Sequence, residues 1–174
     1  GGTPGFEHSG AKLVEDPFTG SPTVVVPALN PDVALIHVHQ ADVYGNARVF
    51  GTGIAHRDAA LASRKVVISA EEIVDTEEIR RDPGRTSIPF YAVDAVVEAP
   101  FGAYPGEVQG QYAVDGDHVG EVFGAVRGAG DIDAYLERYI YSVADNQEML
   151  EKRVGVAKLL ELRQRAKIKD GYTA

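Results

Sequence analysis

The sequence predicts an α/β protein with a mostly parallel sheet and with helices at its C-terminal end. Residues 33–39 (VALIHVH) are apolar at nearly every position, which is typical of a strand buried on both faces. Residues 56–65 have helix-forming composition and lead directly into the β-branched run 66–68. Because a helix that feeds a buried strand is typical of parallel sheets, this order predicts one here. From residue 131 onward, apolar residues recur at helical spacing.

The remaining elements follow in chain order. Residues 1–22 have loop composition, because glycine and proline recur and DPFTGSP is dense in turn signals. Residues 23–27 form a predicted strand, which the turn Asn30-Pro31-Asp32 separates from the buried run. The later predicted elements are a turn at 44–46, a helix over 56–65, a strand at 66–68, a helix over 71–81, a strand over 89–99, a long loop over 100–130, and helices over about 132–144 and 146–168.

Composition excludes several classes of protein. The 174 residues suffice for a single α/β domain with its own core, of which residues 131–174 form the helical C-terminal segment. Lys and Arg total 17 against 26 Asp and Glu, and the resulting net charge of −9 disfavours nucleic acid and anionic membranes as partners. There is no cysteine, which excludes disulfides, thiolate zinc sites and cysteine nucleophiles. No apolar run is long enough to span a bilayer. We expect a cytoplasmic protein.

Two histidines on the buried strand form a candidate metal site. His37 and His39 are two residues apart, so a strand places both imidazoles on one face. A third ligand would have to come from elsewhere in the chain, and Asp42, His56 and His118 are candidates. The alternative is a core histidine beside one that lines a cleft, and we favour it, so no metal is expected.

The end of the buried strand is a candidate ligand site. Asp42 and the turn Gly45-Asn46 follow the strand, and in open α/β sheets ligands bind outside the carboxyl ends of strands. Glycine lets the backbone approach a ligand, and an Asn amide can donate to an oxyanion. A plain tight turn explains these residues equally well. The pairs Glu71-Glu72 and Glu77-Glu78 could act as general acids or bases, but we favour a structural role, because acids near the start of a helix stabilise its dipole.

An ordered series of motifs resembles a known family. The series is DPFTG, then VPALNPDVALIHVHQADVYGNA, then AAL-A-KVVIS-EEIV, then IP-Y-VDAVVEAPFGAYP, and finally VQGQY. It resembles the C-terminal half of an alpha subunit of the family I CoA-transferases, nearest to the group formed by the A subunits of glutaconate CoA-transferases. The chain opens on GGTPGFEHSG rather than on Met, and we expect it to begin partway through a longer polypeptide that includes the N-terminal half of the alpha chain.

The resemblance implies a fold, a reaction and partners. The fold is a three-layer open sheet, and the enzyme is a heterotetramer or larger assembly of alpha and beta subunits. CoA moves from an acyl-CoA to a carboxylic acid through a glutamyl-CoA thioester, without a metal or redox cofactor. The nucleophilic glutamate belongs to the beta subunit, so no catalytic residue is expected in this chain. The alternatives are a subunit of a ring-cleaving CoA-thioester hydrolase and a non-enzymatic module that binds acyl-CoA or a small acid.

The resemblance also implies residues that bind substrate or CoA. The first are Asp42, Gly45 and Asn46, as one wall of an active-site cleft at the subunit interface. His37 and His39 come next, as contacts of a substrate carboxylate. Tyr104 in FGAYP is the last, at a position where the family commonly has His. We also expect residues 100–130 to contact another subunit through exposed aromatic residues, namely Phe101, Tyr104, Tyr112 and Phe123.

Overall fold

A four-stranded sheet organises the chain in the computed structural model, which describes residues 4–128 and 131–167. The strands are β1 (Lys12–Glu15), β2 (Pro22–Val25), β3 (Val33–Ala41), β4 (Ala47–Arg48), β5 (Lys65–Ile73) and β6 (Ala95–Glu98). The order in the sheet is β4-β3-β5-β6. β5 is parallel to both of its neighbours, and only the short β4 runs antiparallel. The predicted α/β class with a mostly parallel sheet is confirmed.

Helices follow or flank the sheet. They are α1 (Pro4–His8), α2 (His56–Ala62), α3 (Thr76–Arg81), α4 (Gly116–Val126), α5 (Ile132–Leu136), α6 (Asn146–Met149) and α7 (Val156–Ala166). Two 3-10 turns (Pro83–Arg85 and Phe90–Ala92) and two π-helical turns (Glu137–Tyr141 and Leu150–Val154) complete the elements. None of the helices described is long and apolar enough to cross a membrane.

The two faces of the sheet bury different residues. Side chains alternate along a strand, and on one face Ile36 and Val38 of β3 join Val66 and Ile68 of β5 in an apolar core that α2 covers with Ala60. The other face carries the polar side chains described below. This alternation explains why the apolar run of β3 can include two histidines.

The first two strands form a separate hairpin. β1 and β2 pair antiparallel from Lys12 opposite Val25 to Glu15 opposite Pro22. Asp16 closes the turn, because its Oδ1 accepts from the backbone N–H groups of Phe18 and Thr19. The sequence prediction of a loop over 1–22 was therefore wrong at β1, where a four-residue strand lies between turn signals.

The predicted helix over 71–81 begins later than expected. β5 extends through Ile73, which pairs with Ala41 of β3, so residues 71–73 belong to the sheet. Asp75 then caps α3 by accepting from the N–H of Glu77. Pairing with β3 and burial of Glu71 outweigh the helix-forming composition of this segment.

Residues 100–130 contribute to a second hydrophobic core and contain the helix α4, whereas the sequence predicted a long loop with exposed aromatic residues. Phe101 and Tyr112 are 7% and 1% exposed, and their ring centroids lie 4.6 Å apart. They pack with Leu150 and Leu162 of the C-terminal helices. The expectation that these two aromatic residues are exposed was wrong, because helical residues some 50 positions away in sequence cover them. Phe123 is exposed, as expected.

The C-terminal helices are more broken than their apolar spacing predicts. A π-helical turn follows α5, and another follows α6. Gly155, with a φ of 85°, separates the second π-helical turn from α7. Residue 168, where the second predicted helix ends, lies outside the described residues.

Candidate functional site

A chain of hydrogen bonds joins Ser69, His37 and Glu71 across the two central strands. His37 lies opposite Ser69 in the pairing of β3 with β5, and Glu71 lies two residues further along the same face of β5. Nδ1 of His37 is 2.8 Å from Oγ of Ser69. Nε2 of His37 is 2.7 Å from Oε1 of Glu71. An ionised carboxylate can only accept, so the imidazole donates from Nε2.

The carboxylate of Glu71 also holds the segment that follows β6. The backbone N–H of Phe101 donates to Oε2 at 2.8 Å, and the hydroxyl of Tyr112 donates to Oε1 at 2.7 Å. Burial alone would raise the pKa of Glu71, but hydrogen bonds from His37, Phe101 and Tyr112 outweigh it and lower that pKa. Burial, and then the bond to Glu71, raise the pKa of Tyr112 far above its ordinary value. The pair is therefore a carboxylate and a protonated phenol at neutral pH.

Gly102 lets the backbone pass close to this network. A Cβ at Gly102 would lie 2.6 Å from Cε1 of His37 and 2.8 Å from the carbonyl oxygen of Ala99. We expect Gly102→Ala to lower the free energy of unfolding by about 1–3 kcal/mol, measured by urea unfolding.

The matched control is Gly120→Ala in α4. A Cβ at Gly120 would have no atom outside its own helix backbone within 4 Å. Alanine favours the helix there, so the control is expected to gain about 0.5–1 kcal/mol. Equal effects of the two substitutions would contradict the close approach of Gly102 to His37.

His39 ties two loops together beside a cavity. Its Nδ1 accepts from the backbone N–H of Phe50 at 3.2 Å, so the proton of the neutral ring is on Nε2, which donates to the carbonyl of Gln109 at 2.9 Å. His37 and His39 line a cavity of about 510 Å³ between residues 49–56 and residues 103–109.

The histidine pair does not assemble a set of metal ligands. Both ring nitrogens of His37 and both of His39 have protein partners. Across the described ranges, no group of three or more His, Asp or Glu side chains is placed to hold a metal ion.

Asp42, Gly45 and Asn46 form one rigid turn. The fully buried carboxylate of Asp42 accepts from the N–H groups of Tyr44 and Asn46 and from the side-chain amide of Asn46. Gly45 has a φ of 99°, and a Cβ there would lie 2.7 Å from Cβ of Val93. The side-chain Oδ1 of Asn46 is engaged as well, because it accepts from the backbone N–H of Phe90 at 3.2 Å.

Tyr104 lies in a third cluster, under the C-terminal helices. Its hydroxyl donates to Oδ2 of Asp115 at 2.8 Å and lies 2.7 Å from Nδ1 of His118. Nε2 of His118 is 2.9 Å from the hydroxyl of Tyr135. Burial, and then Asp115, raise the pKa of Tyr104, and burial lowers the pKa of His118. Both side chains are therefore neutral at neutral pH.

The predicted site residues thus fall into three places. His37 and His39 share the wall of one cavity. Asp42, Gly45 and Asn46 share a turn beyond the end of β3. Tyr104 lies apart from both, with Asp115 and His118. That these residues contact substrate or CoA stays a prediction.

The connection between Ser69, Glu71 and Tyr112 was not predicted from the sequence. The signal for the first two was present, because Ser69 and Glu71 are at alternate positions of one strand and therefore share a face, with Ser69 opposite His37. It was overlooked because a helix was predicted from residue 71 onward, so Glu71 was not assigned to the strand. No local pattern indicates Tyr112, which reaches Glu71 from 41 residues away.

Comparison with known proteins gives the family. Residues 2–99, more than half of the chain, match the model of the coenzyme A transferase family. The chain is 36% identical to the A subunit of glutaconate CoA-transferase from Acidaminococcus fermentans, over 87% of this chain and 48% of that protein. The crystal structure of that transferase superimposes with a TM-score of 0.82 over 87% of this chain and 48% of the chain compared.

Two further relatives are similar over shorter stretches. The chain is 30% identical to the A subunit of 3-oxoadipate CoA-transferase from Pseudomonas knackmussii, over 81% of this chain and 49% of that protein. It is 37% identical to the cholesterol ring-cleaving hydrolase IpdA subunit of Rhodococcus jostii, over 47% of this chain and 28% of that protein. The chain spans about half or less of the length of each. On the family match and the fold together, the chain belongs to the coenzyme A transferase family.

Proposed function

We propose that this chain is part of the alpha subunit of a heteromeric CoA-transferase, active only with a beta subunit and with the rest of its own subunit. The observation that carries the proposal is the likeness to the A subunit of glutaconate CoA-transferase, in sequence and in backbone, over most of the chain. The substrates are an acyl-CoA and a carboxylic acid.

The proposed reaction conserves the energy of the thioester. A glutamate carboxylate attacks the acyl-CoA carbonyl, CoA leaves as a thiolate, and a mixed anhydride forms. The thiolate then attacks the glutamyl carbonyl, which releases the first acid and leaves a glutamyl-CoA thioester. The acceptor acid reverses these two steps.

The hydrogen bonds of Glu71 support a nucleophile on the beta subunit. Among the glutamates whose burial the structure describes, only Glu71 is buried. Its Oε1 accepts from His37 and Tyr112, and its Oε2 accepts from the N–H of Phe101. An attacking carboxylate needs an oxygen that faces substrate, and each oxygen of Glu71 is held by the protein.

We propose indirect roles for the residues that the sequence analysis singled out. His37 and His39 hold the wall of the cavity, since their ring nitrogens bond to the protein. Asp42, Gly45 and Asn46 fix the turn at the end of β3, and this turn is our candidate for the wall of a cleft shared with another subunit. Tyr104 anchors residues 100–115 to α4 through its hydrogen bond to His118.

A ring-cleaving CoA-thioester hydrolase is the second candidate. It is favoured by the 37% identity to the IpdA subunit, although this identity covers less than half of the chain. The two reactions differ in their products: transfer yields a new acyl-CoA, whereas hydrolysis yields a ring-opened product.

Trapping of the thioester tests the proposal. The chain is assembled with the rest of its own subunit and with a beta subunit, incubated with acyl-CoA and reduced with borohydride, and the modified glutamate is mapped by mass spectrometry. We expect the modification on the beta subunit and none on this chain. Modification of Glu71, turnover by this chain alone, or a complex that only binds acyl-CoA would contradict the proposal.

A further inference from the structure

His118 lies at the centre of a group of tyrosine rings below the C-terminal helices. It is 7% exposed, and its ring centroid is 4.4 Å from that of Tyr139, 5.1 Å from that of Tyr104 and 5.8 Å from that of Tyr135. The three tyrosines come from the segment before α4, from α5 and from the π-helical turn that follows α5. The imidazole is therefore shielded from water on several sides.

The hydrogen bonds of His118 fix the position of its proton. Burial alone would raise the pKa of Asp115, but the bonds from Tyr104 and from the N–H of His118 outweigh it and lower that pKa. The ionised Asp115 only accepts, so the one hydroxyl proton of Tyr104 is used in the bond to its Oδ2. The oxygen of Tyr104 must then accept from Nδ1 of His118, and Nε2 of the neutral ring accepts from the hydroxyl of Tyr135. The ring is therefore protonated at Nδ1.

This series of bonds joins four parts of the chain. It begins at Tyr135 on α5, passes through His118 on α4 and Tyr104 on the segment before α4, and ends at Asp115, which caps α4. Oδ1 of Asp115 lies 3.6 Å from Nζ of Lys158 on α7. The uncharged ring of His118 thus connects the C-terminal helices to the segment that carries Tyr104.

The charged groups around His118 already balance one another. The acidic groups are three carboxylates of α4 and its cap, namely Asp115, Asp117 and Glu121. The basic groups belong to the two π-helical turns and to α7, and are Arg138, Arg153 and Lys158. Lys158 pairs with both aspartates and Arg138 pairs with Glu121, whereas none of the described carboxylates pairs with the ring of His118. A positive charge on the ring would therefore have no ionic partner.

We propose that His118 makes the fold sensitive to acid, because protonation of its ring weakens the connection between the C-terminal helices and the segment before α4. The imidazolium would be a buried charge, and its new Nε2–H would face the hydroxyl proton of Tyr135. The face of Tyr139 offers it little compensation, because Arg138 already lies over that ring, 5.0 Å from the centroid. This acid sensitivity goes beyond the proposed function and does not depend on it, since every contact involved lies within this chain.

The direction of the pH dependence follows from the burial of His118. Burial lowers its pKa in the folded protein, and Arg138 lowers it further, against the opposing effect of Glu121 and Asp115. The unfolded chain binds the proton more readily, with a pKa of about 6.5. The stability that the neutral ring contributes is therefore present above about pH 6.5 and is lost as the pH falls from there to the folded pKa.

Urea unfolding of the wild type and of His118→Gln at two pH values tests the proposal. Glutamine does not titrate, and its amide oxygen can still accept from Tyr135. Between about pH 7.5 and about pH 5.5, we expect the folding equilibrium constant of the wild type to fall relative to that of His118→Gln, by up to about 10-fold. His8→Gln is the matched control, because His8 is exposed on α1, and it should follow the wild type. Equal pH dependence of the wild type and His118→Gln would overturn the proposal.

Nuclear magnetic resonance of the wild type decides the question even if His118→Gln does not fold. Nitrogen–proton correlation spectra of isotope-labelled histidine distinguish a protonated ring nitrogen from a bare one, and contacts with the ring protons of Tyr139 assign the signals of His118. At neutral pH we expect the proton on Nδ1 and none on Nε2, and we expect the ring to titrate with a midpoint below about 6.5. A proton on Nε2 of the neutral ring, or a midpoint at or above about 6.5, would show that His118 is not the buried acid sensor described.

Discussion

Glu71→Ala is expected to lower the free energy of unfolding by about 3–5 kcal/mol. The substitution leaves three donors without their acceptor, namely Nε2 of His37, the N–H of Phe101 and the hydroxyl of Tyr112. Because Phe101 and Tyr112 are buried, water does not replace the lost bonds without opening the core. Urea unfolding followed by circular dichroism measures the effect.

Glu72→Ala is the matched control for this substitution. Glu72 is the next residue of β5, its side chain is exposed on the opposite face, and it accepts a bond from Gln40. We expect a loss of about 0.5 kcal/mol or less. Similar losses at positions 71 and 72 would show that Glu71 does not hold the residues that follow β6.

The effect of Glu71 depends on pH in a defined direction. Its hydrogen bonds lower its pKa in the folded protein, so the stability it contributes is complete above its unfolded pKa of about 4.3 and is lost as the pH falls through the lower, folded pKa. The difference in stability between the wild type and Glu71→Gln should therefore be constant near neutral pH and shrink below about pH 4. A difference that grows with acid would contradict an ionised Glu71.

Leu162→Ala is expected to lower the free energy of unfolding by about 2–5 kcal/mol, which is the second largest effect predicted here. Leu162 is fully buried on α7 and packs in the cluster that contains Phe101 and Tyr112. Truncation leaves a cavity between the helix and residues 100–112, which the surrounding aromatic rings fill only in part. Thermal and urea unfolding both report the loss.

Leu160→Ala tests whether the position on the helix matters. Leu160 lies two residues earlier on α7 and is 53% exposed, so its truncation is expected to stay within about 0.5 kcal/mol of the wild type. If the two substitutions lowered the free energy of unfolding equally, α7 would pack on the protein through a different face from the one described.

Local patterns predicted the parts of the fold that depend on neighbours in sequence. The strand β3 was recognisable, because burial on both faces requires a run of apolar residues. The helix that leads into β5 was recognisable as well, because two parallel strands need a crossover connection between them. The hydrophobic core around residues 100–112 could not be predicted from local patterns, because Leu150 and Leu162, which are distant in sequence, complete it. The helix predicted at 71 failed for a similar reason, since pairing with β3 outweighs helix propensity.

The sequence predicted several residues of the candidate site but not the hydrogen bonds that connect them. The sequence analysis named His37, His39 and Asp42 as candidates, and the structure gives each a buried or half-buried polar environment. It placed Glu71 on a helix, away from them. The bonds from Phe101 and Tyr112 to Glu71 depend on a chain reversal after β6, which no spacing in the sequence encodes.

The carboxylate of Glu71 also bears on how the molecule unfolds. It bonds β5 to Phe101 and Tyr112, and these rings pack on Leu162 of α7, so one continuous path of contacts leads from the sheet to the last described helix. We therefore expect the C-terminal helices to unfold together with the central strands rather than at a separate transition.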